Sequence, residues 1–142
     1  MSASGTGPFE NDYAMDLCDE IRGAESDEAL SLLGEALSLV AEVEPGEYLE
    51  RDLAEAAVAA AAIIAARSGA SDESLEKMEL KGLIPRIPEA LLRLALSILP
   101  RTLADDSEVY GLWIDVDRGD EWRGHVERLL RELDSVLESG AY

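Results

Sequence analysis

The apolar positions of this chain fall into helical rhythm over most of its length. Residues 12–22 place Ala14, Leu17, Cys18 and Ile21 on one side of a short helix. Ser26-Asp27-Glu28 is a start signal, after which Leu30, Leu33, Leu37, Val40 and Val43 recur at helical spacing until Glu44-Pro45-Gly46 stops the run. A third helix is predicted from about Leu49 to Arg67, ended by Ser68-Gly69. Its centre, Ala56 through Ile64, is apolar all round, so it is expected to lie buried, with alanines that let neighbouring backbones come close. Ser71-Asp72-Glu73 predicts a short fourth helix through about Met78, and Gly82 and Pro85 punctuate the segment after it.

Pro88 suits the first position of a fifth helix, and Pro100 should end or kink it. Between them Leu91, Leu92, Leu94, Ala95, Leu96, Ile98 and Leu99 predict a second buried element. Asp106-Ser107 is expected to cap a sixth helix holding Val109, Leu112 and Trp113, and Gly119-Asp120 is a stop followed by a start. The final helix, 121–138, carries the clearest stripe: Trp122, Val126, Leu129, Leu130, Leu133, Val136 and Leu137. Residues 109–114 are the one rival for a strand, and Gly111 interrupts them. The pattern predicts an all-α, compact, single-domain bundle of six or seven helices over residues 1–142, with helices Ala54–Ala66 and Leu91–Leu99 central and residues 1–11 as an N-terminal arm. A chain of 142 residues fits one domain and hides roughly two-thirds of its extended surface on folding.

The arm is dense in structural signals: Gly5-Thr6-Gly7-Pro8-Phe9-Glu10-Asn11-Asp12, then Ala14 and Asp16. Gly5 and Gly7 permit backbone angles closed to other residues, and Pro8 biases Gly7 toward extended backbone. Phe9, the only phenylalanine, reads as a plug that docks the arm onto the body. Asn11 or Asp12 can accept the free N–H groups of the first helix. Asp12 and Asp16, four apart, form either a solvated acidic face behind the cap or a carboxylate pair that binds a cation or basic group.

This run resembles the N-terminal signature of the bacterial domain of unknown function 4259 family. That family usually begins with a Trp-Gly pair, and here Ser4 stands at the Trp position, removing one anchor. Glu47-Tyr48-Leu49-Glu50 leading into the alanine-rich helix Ala54–Ala66 is similar to the family's middle, and Ser107-Glu108, Leu112-Trp113 and Glu121-Trp122-Arg123 to its C-terminal part. The resemblance implies a small bacterial helical domain and brings no catalytic residues with it.

Charge adds an asymmetry. The net charge is −19: residues 1–71 hold fifteen acids and three bases, leaving −12, and residues 72–142 hold sixteen acids and nine bases, leaving −7. Such a field repels nucleic acid and anionic membranes and steers a basic partner inward, although the same composition also serves solubility alone. One cysteine forbids an internal disulfide, no secretory leader opens the sequence, and the apolar runs are too short to span a bilayer, so a cytoplasmic protein is expected.

Candidate chemistry is sparse. Asp115-Val116-Asp117-Arg118-Gly119-Asp120-Glu121 opens like a calcium loop, but Gly119 is one place early and Arg118 inserts a positive charge. His125 is the only histidine, so no multi-histidine metal site exists, and no nucleophile accompanies it. Cys18 faces inward with no basic neighbour in view to activate it. No catalytic residue, metal site or cofactor is expected. Two function classes remain. One is a non-enzymatic binding module, immunity- or inhibitor-like, that engages a basic protein, itself a monomer or homodimer. Its binding residues would be Asp12, Asp16, Glu28 and Glu35, with Tyr13 and Tyr48 as anchors. The other is a carboxylate-based metal-dependent enzyme or small-molecule-binding protein built on Asp12 and Asp16. Three or more carboxylates converging in one pocket would favour the enzyme, and a flat acidic face with exposed Tyr or Leu the binder.

Overall fold

The computed structural model describes residues 5–69 and 72–140. Ser4, the departure from the family pattern, and Ser71, in the fourth start signal, lie outside the described residues. Among the described residues the protein is all-α, with seven α-helices and no strand: α1 Asp12–Arg22, α2 Ser26–Ala41, α3 Arg51–Arg67, α4 Glu73–Lys77, α5 Glu89–Ile98, α6 Glu108–Asp115 and α7 Gly119–Ser139. A 3-10 turn, Leu99–Leu103, continues α5 and carries Pro100 at its start, where a missing N–H does no harm.

The alanine-rich α3 is the axis. Every residue from Ala57 to Ala66 is buried, and α1, α2, α5, α6 and α7 all pack on it. Its short side chains admit the flanking helices, whose Leu17, Ile21, Leu33, Leu37, Leu92 and Leu133 fill the space between. α5 departs from expectation. Leu92, Ala95 and Ile98 are buried, but Leu91, Leu94 and Leu96 are only partly covered, so it is an amphipathic outer helix and not a second buried core element. Leu130 likewise sits at the half-buried edge of the α7 stripe, while Leu133 is fully buried.

The segment between α4 and α5 supplies core residues that have no helical period: Leu80, Ile84 and Ile87 are all buried. Two arginines at helix ends fasten it. Arg22 of α1 donates to Met78 O at 2.6 Å, and Arg67 of α3 donates to Ile84 O at 2.8 Å.

The arm is closed by a side chain. Glu10 Oε1 accepts the Gly7 N–H at 3.0 Å, and the Glu10 N–H donates to Gly7 O at 3.1 Å. A Cβ on Gly5 would stand 2.5 Å from Glu10 Oε2, and one on Gly7 would strike Glu10 Oε1. Neither glycine has positive φ. The expected reason for them is therefore corrected: they make room for a carboxylate laid on the backbone, and unusual angles are not required. Phe9 is half-buried and packs on the core beside Ala62, Ala66 and Leu129. Asn11, not Asp12, caps α1, accepting the Ala14 N–H at 2.8 Å.

The expected cap at the start of α6 is also corrected. Ser107 occupies the cap position, but its hydroxyl makes no capping bond and is buried without a hydrogen-bond partner among the described residues. Its backbone serves instead in a parallel bridge. Leu49 N donates to Asp106 O and Glu108 N donates to Leu49 O, both at 2.9 Å, which draws the α2–α3 loop onto the entrance of α6. That pairing holds Leu49 extended and delays the start of α3 to Arg51.

Candidate functional site

A groove of about 260 Å³ runs between α1, α2 and the first half of α3. Its floor is apolar: Leu17 from α1, Leu32 and Ala36 from α2, and Leu53 and Ala56 from α3. Its walls carry Asp16 and Glu20 of α1, Glu35 of α2 and Asp52 of α3. Helical spacing explains the wall on α1: Asp16 and Glu20 are four apart, so both overlook one groove. Leu39 also lines it and is 41% exposed, an apolar side chain offered at the rim.

Tyr13 lines this groove and also a neighbouring concavity of about 420 Å³ with Tyr48, Glu50, Arg51, Asp52 and Glu108. The Arg51 guanidinium lies over the Tyr13 ring, 5.5 Å from its centroid. Tyr48 is 61% exposed. Desolvation, together with the charge of Glu108 and a hydrogen bond to it, holds its phenol above the usual range.

None of Asp16, Glu20, Glu35 or Asp52 forms an ion pair with a described residue. The three bases of the N-terminal half have other engagements: Arg22 with Met78 O and Asp19, Arg67 with Ile84 O, and Arg51 with Tyr13. The four carboxylates of the groove are thus left without an ion-pair partner among the described residues.

Of the residues singled out from the sequence, the fold brings Tyr13, Asp16 and Glu35 into the groove and Tyr48 to its neighbour. Glu28 is exposed near the start of α2 and lines neither. Asp12 is exposed on the first turn of α1, and its charge acts on Glu55. Among the described residues, no three His, Cys, Asp or Glu side chains are grouped so as to hold a metal ion. Cys18 is buried, and burial pushes its thiol up even though Arg22, one turn on and overlooked as a basic neighbour, pulls it down.

Sequence reasoning missed Glu20, Leu39 and Asp52 of the groove, and it missed Glu55. Glu55 is 4% exposed in the most buried helix, and its Oε2 has no hydrogen-bond partner among the described residues. Burial raises its carboxyl to about 7; Arg51 opposes this, and Asp12, Asp52 and Glu108 add to it. The available signal was its position: a lone acid one residue ahead of an uninterrupted apolar run, on a helix already expected to be covered on all sides.

Among the described residues, the fold and groove define a small all-α protein with an acidic, apolar-floored concavity. The chain belongs to the family described as Domain of unknown function (DUF4259), whose match spans residues 2–125. No curated protein and no solved structure shows significant similarity to it. The match takes in the arm, the groove and the entrance of α7, and stops within that last helix. No described helix is long and apolar enough to cross a membrane.

Proposed function

We propose that this protein is a non-enzymatic binding module whose α1–α3 groove receives a basic surface of a partner protein. The observation that carries the reading is the combination of four carboxylates without ion-pair partners among the described residues, Asp16, Glu20, Glu35 and Asp52, above an apolar floor; they share the groove, as the enzyme reading asks, but line its walls with no three of them grouped so as to hold a metal ion. Apolar contact supplies affinity at the centre of such a face, and the surrounding charge raises the encounter rate. Leu39 at the rim, half-buried Tyr13 in the groove and Tyr48 in the adjoining concavity are the anchors, because each offers an apolar or aromatic surface there.

A partner captured from the native host serves for the test. Its association rate is measured at low and high salt with the wild type, Asp16→Lys/Glu35→Lys and Glu28→Lys. The attraction is screened beyond about 8–10 Å near physiological salt, so the wild-type rate falls as salt rises. The groove variant loses most of the rate, and Glu28→Lys, outside the groove, loses far less. Equal losses in both variants would leave only a general charge effect. A rate insensitive to salt and to both reversals would remove the acidic groove from the function.

A further inference from the structure

We propose that Glu55 and Arg51 form a proton-operated latch on the seam between α1 and α3: neutral Glu55 leaves the Arg51 guanidinium on Tyr13, and ionised Glu55 draws it inward and releases the Tyr13 ring. The argument starts from placement. Glu55 is almost wholly buried, and Oε2 lacks a partner among the described residues, an arrangement a neutral carboxylic acid tolerates far better than a carboxylate. The charged groups acting on it are Asp12 of α1, Arg51 and Asp52 of α3 itself, and Glu108 of α6. Three are acids, and they hold the proton on. Arg51 is the one cation of the set. It stands four residues before Glu55, so the two side chains share a helix face and a guanidinium can reach the carboxyl by rotation of its own chain.

Loss of the proton to solvent leaves a buried anion that needs an opposing charge. Arg51 already acts on Glu55 from its place over the Tyr13 ring, 5.5 Å from the centroid, and a direct pairing with the carboxylate takes it off that ring. Tyr13 lines both the groove and the adjoining concavity, so its release alters the surface that each offers. With the carboxyl raised to about 7, the change falls within the physiological range. The latch is a property of the free protein and stands independently of what the groove binds.

The test is an NMR titration of the full chain from about pH 4 to about pH 9, following the Glu55 side-chain carboxyl carbon and the Tyr13 ring signals. Both are expected to move with one shared midpoint near 7. In Glu55→Gln the Tyr13 signals stay fixed across that range. In Arg51→Leu the Glu55 midpoint rises, because its favourable cation is gone, and Tyr13 ceases to respond. Should Glu55→Gln fail to fold, the wild type and Arg51→Leu carry the test by themselves. A Glu55 midpoint in the ordinary carboxylate range, a Tyr13 ring that ignores the Glu55 transition, or a Tyr13 response that persists in either variant would overturn the latch.

Discussion

The side chain of Glu108, first residue of α6, accepts the backbone N–H of Arg51, first residue of α3, at 2.8 Å. α3 has no capping side chain of its own at Glu50, so a helix distant in sequence provides the anion that the positive end of this axial helix favours. The parallel bridge between Leu49 and Ser107 brings the two ends together. A first prediction is that Glu108→Ala costs about 1 kcal/mol, in the range of lost helix caps, and that Glu108→Gln, which keeps an acceptor, costs less. Urea unfolding of the three proteins checks the order.

The core prediction rests on α7. Leu133→Ala should cost about 2–5 kcal/mol, as for other fully buried leucines, while Leu130→Ala at the half-buried edge should cost clearly less. Chemical denaturation of both variants gives the comparison, and equal losses would contradict the burial difference.

The arm makes its own prediction. Gly7→Ala sets a methyl group against the Glu10 carboxylate and displaces it, losing the hydrogen bond to the Gly7 N–H, a loss of about 1 kcal/mol. In the Glu10→Ala background the same glycine change should cost little, because the obstructing group has gone. A double-mutant cycle measures the coupling, and additive losses would show that the close approach is not what restricts Gly7.

The pH prediction concerns stability. Glu55 binds its proton more tightly folded, at about 7, than its ordinary value of 4.5. Below 4.5 both states carry the proton. Between 4.5 and 7 the unfolded chain sheds it and the folded chain does not, so raising the pH favours unfolding, and above 7 the loss is complete. The wild type should therefore lose stability relative to Glu55→Gln as pH rises through this window, by at most about 3 kcal/mol. Thermal melts of both proteins across the window supply the difference, and parallel curves would mean that Glu55 titrates normally.

The elements that were legible in the sequence are those whose information is local. The stripe of α7, the all-apolar centre of α3 and the Asn-Asp start of α1 each announce themselves within a few residues, and the all-α bundle results from them. α5 misled because seven apolar residues in nine positions look fully buried when read alone, and only the packing of α2, α3 and α7 on one side decides which of them are covered. Leu80, Ile84 and Ile87 lie in non-helical backbone, so no period marks them as core. The site was legible in part for the same reason. Tyr13 and Asp16 are near neighbours on one helix, but Asp52 and Glu20 join Glu35 only through the way α1, α2 and α3 come together. Glu55 was hidden because its burial comes from neighbouring helices, and Glu108 because its partner Arg51 is 57 residues away.

The two arginine struts beneath the 78–87 segment carry a consequence for how the molecule comes apart. Arg22 and Arg67 grip backbone carbonyls, Met78 O and Ile84 O, from the last residues of α1 and α3, so each clasp lasts only as long as its helix end keeps its shape. The arm is fastened differently, through the Glu10 carboxylate on the Gly7 amide three residues away, a clasp closed within the arm itself. Fraying at the ends of α1 and α3 thus frees the 78–87 segment while the arm's own clasp stays closed.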